Sequence, residues 1–452
     1  MLTENPILTR PRESAEDLFT ALDEALRKPA RQQPDWADHP ARQRTRQDLA
    51  LLPPLTLPAE IDLLRTRLAA VARGEAFLLQ GGDCAETFAD TTEAHIRANV
   101  STLVQLEVAL TRCTGWPVVT VGRLAGQYAK PRSQPQDADG LPSYRGDLVN
   151  AIEPDPLLRQ PDPHRMMLAY QHSNVTLNLV RALCGPGNFP PARLRALFAG
   201  FAEGSAAGER FAGLLAELDR GLRYTDRSWS RELFSSHEAL VLDYERALVR
   251  LDPDHPGGPR LYSGATHFPW IGERTRQWDG AHLAFAAQLA NPIGLKIGPG
   301  ATALEVSEYL HRLDPHKEPG RVTLITRMGS DRVRALLPPI VREVEASGHR
   351  VVWQCDPMHA NGEVTECGRK TRQFDRIVDE VQGFFEVHRL LGTHPGGLHL
   401  ELTGEDVTEC LGGAAEITPS GLARRYETAC DPRLNGDQAL ELTLLVAEML
   451  RG

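Results

Sequence analysis

A chain of 452 residues, 41% hydrophobic and 24% charged, has the make-up of an ordinary soluble globular protein. Its length admits two or three domains, or one decorated barrel of about 250 residues or more. The formal net charge of −10 argues against general affinity for nucleic acid or an anionic membrane, so an anionic ligand would need a local basic pocket. Seven scattered cysteines without a CxxC pair suit a reduced intracellular setting. The N-terminus lacks a signal-peptide core, and no run approaches the roughly 18 apolar residues of a membrane span; a cytoplasmic protein is expected.

The first helix is predicted to begin at Ser14, an N-cap with Asp17 three residues on, and to carry the stripe Leu18, Leu22, Ala25 and Leu26. Residues 30–58, rich in Pro, Gln and Arg, read as an extended arm. Another amphipathic helix, Ile61 to Val71, completes an N-terminal unit of residues 1–73. From residue 74 to 452, short apolar runs alternate with helical stretches. The runs are Phe77–Leu79, Val118–Val121, Arg260–Tyr262, Ile293–Ile297, Val322–Ile325, Val351–Trp353 and Leu398–Leu400, and Glu232–Ser235 would complete eight. Alternation argues for an α/β fold with a parallel sheet. Eight units argue for a (β/α)8 TIM barrel, with a doubly wound sheet as the alternative. Residues 164–222, between the second and third strands, hold about three helical patterns instead of one. Leu194, Leu197, Phe198 and Phe201 form one stripe, and Phe211, Leu214, Leu215 and Leu218 the next, which predicts an inserted helix pair at about 192–222.

Polar chemistry follows almost every predicted strand: Cys84 and Glu86, then Arg123, Lys130, Arg132 and Ser133, then His237 and Glu238. Further along come Glu273, Arg274 and Arg276, then Lys296, Arg327, Asp356 with His359, and Glu401. In a parallel barrel the C-terminal strand ends share one rim, where barrel enzymes place their active sites. Cys84, His359, Glu401 and, from the YETACDPRLNG turn, Asp431 offer a thiolate, an imidazole and two carboxylates. That set suits a divalent transition metal: zinc would accept it, and the two carboxylates leave room for Mn²⁺ or Co²⁺. Singly, each has a plainer reading as a core thiol, a loop cap or a turn acid. The cations Arg123, Lys130, Arg132, Arg274, Lys296 and Arg327 on the same rim suggest two phosphorylated or carboxylated ligands. Pairing with nearby acids such as Glu273 and Glu405 is the alternative. Lys296 lies among apolar strand residues, and a buried lysine needs a partner.

The segments LLQGGDCAETF, AGQYAKPRS, SYRGDLVN, SHEALVLDYE, ANPIGLKIGP, TRMG, WQCDPMHANG, GTHPGGLHLELTGEDVTECLGG and RYETACDPRLN, together with the GERTR and KTR motifs, resemble the successive motifs of type II 3-deoxy-D-arabino-heptulosonate 7-phosphate (DAHP) synthases. They stand in that family's order over residues of about 74 to 450, and the arm around LRKPARQQPDW is similar to that of longer members.

The resemblance implies a metal-dependent, aldol-type condensation of phosphoenolpyruvate with erythrose 4-phosphate. It implies that Cys84, His359, Glu401 and Asp431 bind Mn²⁺ or Co²⁺. Arg123, Lys130, Arg274, Lys296 and Arg327 would hold phosphoenolpyruvate, and Arg132 with Ser133 the erythrose phosphate. Either Glu238 or Glu273 would orient the water that adds at C2. Another phosphoenolpyruvate-dependent synthase, acting on a different phosphosugar, and a catalytically silent regulatory barrel are the competing readings. Cys430, next to Asp431, is expected near Cys84, where oxidation could join the two thiols. A homo-oligomer (dimer or tetramer), aromatic amino-acid effectors and a chorismate mutase partner follow from the resemblance as well. The unpaired stripes of the N-terminal helix and helix pair support the oligomer. The connection Thr225–Glu232 reads as shorter than in longer relatives, which bears on an effector pocket.

Overall fold

Residues 14–204, 206–223 and 232–452 are described by the computed structural model of the chain. Its strands are β1 (Phe77–Gly82), β2 (Val118–Arg123), β3 (Leu233–Glu238), β4 (Val249–Asp252), β5 (Arg260–Ser263), β6 (Phe268–Ile271), β7 (Ile293–Ile297), β8 (Val322–Thr326), β9 (Val352–Cys355), β10 (Gly362–Val364), β11 (Lys370–Arg372) and β12 (Gly397–Glu401). Eight of them close a barrel in the order β1-β12-β9-β8-β7-β6-β3-β2, and every barrel pairing is parallel. Helices run between successive barrel strands, so the architecture is the (β/α)8 barrel and the doubly wound alternative is excluded. Full burial on both faces explains why these strands read as apolar runs rather than alternating ones.

One predicted strand is corrected. Arg260–Ser263 is not a barrel stave; it pairs antiparallel with Val249–Asp252 in a hairpin outside the barrel. The stave is Phe268–Ile271, which pairs with β3 and β7. It is only four residues long and contains Pro269, which lacks an N–H and weakens any strand signal in the sequence.

The N-terminal helix spans Ala15–Leu26 and starts as expected: the Ser14 and Asp17 side chains form a reciprocal capping box. The arm departs from the extended reading, because Ala41–Leu51 is a helix. Its sequence, ARQRTRQDLAL, has almost no apolar stripe, and tertiary contacts hold it instead. Arg42 and Arg46 reach the Asp243 carboxylate at 2.7 and 3.5 Å, and the Trp36 indole donates to the same group at 3.0 Å. The third helix, Pro58–Ala72, stoppers the barrel. Leu64, Leu68 and Val71 are fully buried against Leu78, Val119, Phe234, Phe268 and Val352 at the N-terminal strand ends. Each such side chain contributes roughly 1.5–3 kcal/mol by burial.

Between β2 and β3 lie helices Arg165–Cys184, Pro191–Gly204, Ala206–Arg210 and Ala212–Arg223. Leu194, Phe198, Phe201, Phe211, Leu215 and Leu218 are buried in the main core of the same chain. Leu18, Leu22 and Leu26 of the first helix likewise pack on Leu242, Phe285 and Leu289. These stripes are therefore met within one chain and do not call for a second subunit. Residues 225–231 of the Thr225–Glu232 connection lie outside the described residues. Among the described residues, no helix is long and apolar enough to cross a membrane.

Candidate active site

The C-terminal strand ends open into a cavity of about 580 Å³. Its lining brings together Cys84, Arg123, Lys130, Arg132, Ser133, Glu238, Glu273, Arg274, Lys296, Arg327, His359 and Asp431, residues that span most of the sequence. Glu401, at the end of β12, is wholly buried beneath them.

Cys84, Glu401 and Asp431 present donor atoms that all lie within 4.8 Å of one another, the group of potential ligands that the described residues assemble. His359 joins them from the loop after β9, its Nε2 3.0 Å from Glu401 Oε1. Its other ring nitrogen, Nδ1, meets Asp356 Oδ2 at 2.8 Å. An imidazole whose Nδ1–H donates to a carboxylate presents Nε2 as a ligand atom. The fit to a cation is visible in the contacts themselves. The Lys130 ammonium donates to the Cys84 sulfur and lies 3.3 Å from Glu401 Oε1 and 2.8 Å from Asp431 Oδ2. A thiol and two carboxylates in one group, with the His359 imidazole reaching one of those carboxylates, suit a divalent transition ion.

Electrostatics agree with the geometry. Burial opposes ionisation of Glu401, yet His359, Lys130 and Arg372 hold its carboxyl well below the usual carboxylate range. Lys130 likewise holds Asp431 low. Burial pushes the Cys84 thiol up, and its hydrogen bond with Cys430 and the charge of Glu401 add to this. A thiolate there requires a strong local cation, and binding one would release the proton. Cys430, like Cys84 a free thiol, is near enough to perturb Cys84 electrostatically.

The expected anion-binding cations divide by burial. Arg123 is almost fully buried: Nε donates to the Asp83 carbonyl at 3.0 Å, one Nη to the Cys84 carbonyl at 3.0 Å, and the other meets His399 Nε2 at 2.6 Å. Trp270 lies beneath its guanidinium, 5.0 Å from the ring centroid. His399 is kept neutral by burial, so Nδ1–H is assigned as donor to Gln80 Oε1 at 2.7 Å and Nε2 as acceptor from Arg123. Lys296 is buried and paired with Asp356, the partner that its burial required. Burial nonetheless lowers its ammonium to about 8. Arg327, half-buried, donates to the His359 carbonyl at 2.9 Å and keeps Nε without a protein partner. Arg274 and Ser133 are exposed and bonded to each other at 2.8 Å.

The two expected water-orienting carboxylates are not equivalent. Glu273 has both oxygens committed, one to Arg276 at 2.9 Å and the other to the Gly298 N–H at 2.7 Å. Glu238 has a buried Oε1 with no partner, and burial raises its pKa against the pull of Lys130, Lys296 and Arg274. Of the two carboxylates, Glu238 is the one with an oxygen left without a partner.

Several supporting roles escape the sequence reading, including that of Glu86, which reads there only as a polar residue after the first strand. Arg372 donates to Glu401 Oε2 at 2.7 Å; its KTR motif was visible, but nothing local announces a partner in β12. Glu86 accepts the Ala125, Gly126 and Gln127 N–H groups at 2.8, 2.9 and 2.8 Å. That nest fixes a turn in which Ala125 has φ +60°, just past Arg123. Glu380 does the same after β8: it accepts the Met328 and Gly329 N–H groups, both at 2.8 Å, and the Asn361 amide at 2.7 Å. It thereby ties the Arg327 loop to the His359 loop.

The sequence profile of the Class-II DAHP synthetase family matches residues 20–447. A phospho-2-dehydro-3-deoxyheptonate aldolase, AroG, of Mycolicibacterium smegmatis is 56% identical over 446 residues, covering 97% of this chain and 96% of that one. A phospho-2-dehydro-3-deoxyheptonate aldolase of Streptomyces coelicolor is 52% identical, covering 94% of this chain and 96% of its own. One of Neurospora crassa is 42% identical, covering 94% and 93%. With a barrel whose rim gathers these motifs and a family match over nearly its whole length, the chain belongs to the Class-II DAHP synthetase family.

Proposed function

We propose that this rim joins phosphoenolpyruvate to erythrose 4-phosphate, giving DAHP and inorganic phosphate. One observation carries the reading: Arg123, Lys130, Lys296 and Arg327 share a cavity with the Cys84–His359–Glu401–Asp431 donors. Arg123, Lys130, Arg274, Lys296 and Arg327 hold the phosphate and carboxylate of phosphoenolpyruvate, and Arg132 with Ser133 holds the acceptor phosphate. Two anionic substrates repel each other, and these cations neutralise and orient them so that C3 of phosphoenolpyruvate faces the aldehyde carbon. Cys84, His359, Glu401 and Asp431 would hold a divalent ion, Mn²⁺ or Co²⁺ by the weight of carboxylates, with Zn²⁺ also compatible. When bound, that ion supplies Lewis-acid polarisation of the acceptor carbonyl. As C3 bonds to the aldehyde carbon, the aldehyde oxygen becomes an alkoxide and takes up a proton. Glu238, with its free carboxyl oxygen, takes one proton from the water that adds at C2, and the other leaves as the C2 carbonyl forms. The C2–O bond to phosphate then breaks, and Arg123, Lys296 and Arg327 stabilise the departing anion. Glu273 serves as a strut for Arg276 and the Gly298 turn.

Phosphate release from phosphoenolpyruvate should require both erythrose 4-phosphate and a divalent metal. Ribose 5-phosphate and arabinose 5-phosphate should not substitute. Release with one of those sugars would reassign the acceptor, and no release with any sugar would leave a silent barrel. Family membership also suggests a homo-oligomer, aromatic amino-acid effectors, a chorismate mutase partner and a cytoplasmic setting. The thiol pair adds a redox reading. A two-electron oxidant such as a disulfide would link Cys84 to Cys430, each thiol losing its proton, and so remove a ligand from the metal site.

A further inference from the structure

The N-terminal arm reaches the acceptor side of the rim through one side chain. Gln32, with φ +61°, turns its carboxamide onto the peptide of Arg132. The Arg132 N–H donates to Gln32 Oε1 at 2.9 Å, and Gln32 Nε2 donates back to the Arg132 carbonyl at 3.1 Å. A side-chain amide thus completes the bonding of a loop peptide as a neighbouring strand would.

The arm is itself anchored. Arg145 donates to the Gln32 carbonyl at 2.5 Å and to the Gln33 carbonyl at 3.1 Å. Its own carbonyl accepts the Lys130 N–H at 2.9 Å. Gln33 spans to the loop after β3, donating to the Leu240 carbonyl at 2.8 Å and accepting the Leu242 N–H at 3.0 Å. The Pro29 carbonyl accepts the Ala281 N–H at 2.9 Å, beyond the Arg274 loop. A non-glycine residue held at positive φ costs free energy, and here three separate loops hold it there.

We propose that Gln32 is a positioning residue for the acceptor substrate, setting the Arg132–Ser133 peptide at the distance from the Cys84–Glu401–Asp431 cluster that brings the aldehyde into reach. This rests on the reading of Arg132 and Ser133 as the acceptor-phosphate site. Unlike Arg123 or Lys296, Arg132 meets no carboxylate among the described residues; its guanidinium reaches the Cys430 sulfur at 3.9 Å. Its main chain is fixed instead by a residue 100 positions earlier in the sequence. The arm is accordingly part of the active site rather than a covering for the barrel.

The test uses the full-length, Mn²⁺-loaded protein and two variants, Gln32→Ala and Gln32→Glu. Glu keeps the acceptor for the Arg132 N–H but sets a carboxylate against the Arg132 carbonyl, so the two should behave alike. Both should raise KM for erythrose 4-phosphate by about tenfold, the loss of one or two hydrogen bonds. KM for phosphoenolpyruvate, Mn²⁺ affinity and thermal midpoint should stay near wild type. An unchanged KM for erythrose 4-phosphate, or an equal rise for both substrates, would overturn the proposal. If wild type itself releases no phosphate with erythrose 4-phosphate, it is the parent reading that fails.

Discussion

The two sides of the rim are built differently. On the side proposed for phosphoenolpyruvate, Arg123, Lys130 and Lys296 are buried and each lies against groups supplied by the barrel itself: His399, Glu401 and Asp356. On the side proposed for the acceptor, Ser133 is exposed, Arg132 is half-buried, and the loop is steadied by Gln32 from the arm. Burial of a charge is tolerated only with its partners in place, so the first side is fixed by folding. The second side borrows its geometry from a segment the barrel does not need in order to close. Substitutions should therefore act through chemistry on the first side and through acceptor binding on the second.

The largest effect belongs to the donor cluster. Cys84→Ser should cut turnover by about a hundredfold or more, since changes merely behind metal ligands cost roughly 10–100-fold. Chelation should abolish activity of the wild type, and added Mn²⁺ or Co²⁺ should restore it. Full turnover by metal-free protein would break the buried side of the comparison at its centre.

Next come the two glutamates, which separate proton transfer from scaffolding. Glu238→Gln should lower kcat by about 10²–10⁴-fold with little change in thermal midpoint. Glu273→Gln keeps an acceptor for Arg276 or for Gly298 and should cost far less in kcat. The reverse ranking would return the water-orienting role to Glu273. Smaller again, Lys296→Ala and Arg327→Ala each remove a charge-assisted contact worth roughly 1.5–3 kcal/mol, or about 10–100-fold in kcat/KM for phosphoenolpyruvate. Unaltered kinetics in both would remove them from the clamp.

What could be read from the sequence follows the same division. Cys84, Lys296, Arg327, His359 and Glu401 stand at strand ends, where a local apolar run and the barrel's geometry together predict a shared rim. Asp431, in a turn, joined them by chemistry and resemblance. Contacts between distant segments left no local trace. The helix Ala41–Leu51 is held by Asp243 rather than by a stripe, and β6 is interrupted by Pro269. The roles of Gln32, Arg372 and Glu380 depend on partners dozens of residues away or more. Periodicity reports which face is buried, not which polar group will be met there.

The smallest effect is a pH dependence, and it tests the buried side without a change of contacts. Burial lowers the Lys296 ammonium from its ordinary 10.5 to about 8. In the free enzyme this cation is lost as pH rises through about 8, so kcat/KM for phosphoenolpyruvate should fall about twofold at that pH and steepen beyond it. A bound anion favours the charged form and moves the titration upward, so kcat should stay flatter across the same range. Stability should respond with the opposite sign. Between about 8 and 10.5 the unfolded chain holds a proton that the folded Lys296 has given up, so this residue's contribution improves with rising pH in that window. Lys296→Met should abolish the alkaline limb in kcat/KM and flatten that part of the stability profile. A kcat/KM for phosphoenolpyruvate that ran level well past this range in the wild type would mean that Asp356 holds Lys296 charged throughout. The buried side would then be more rigidly paired than its desolvation suggests.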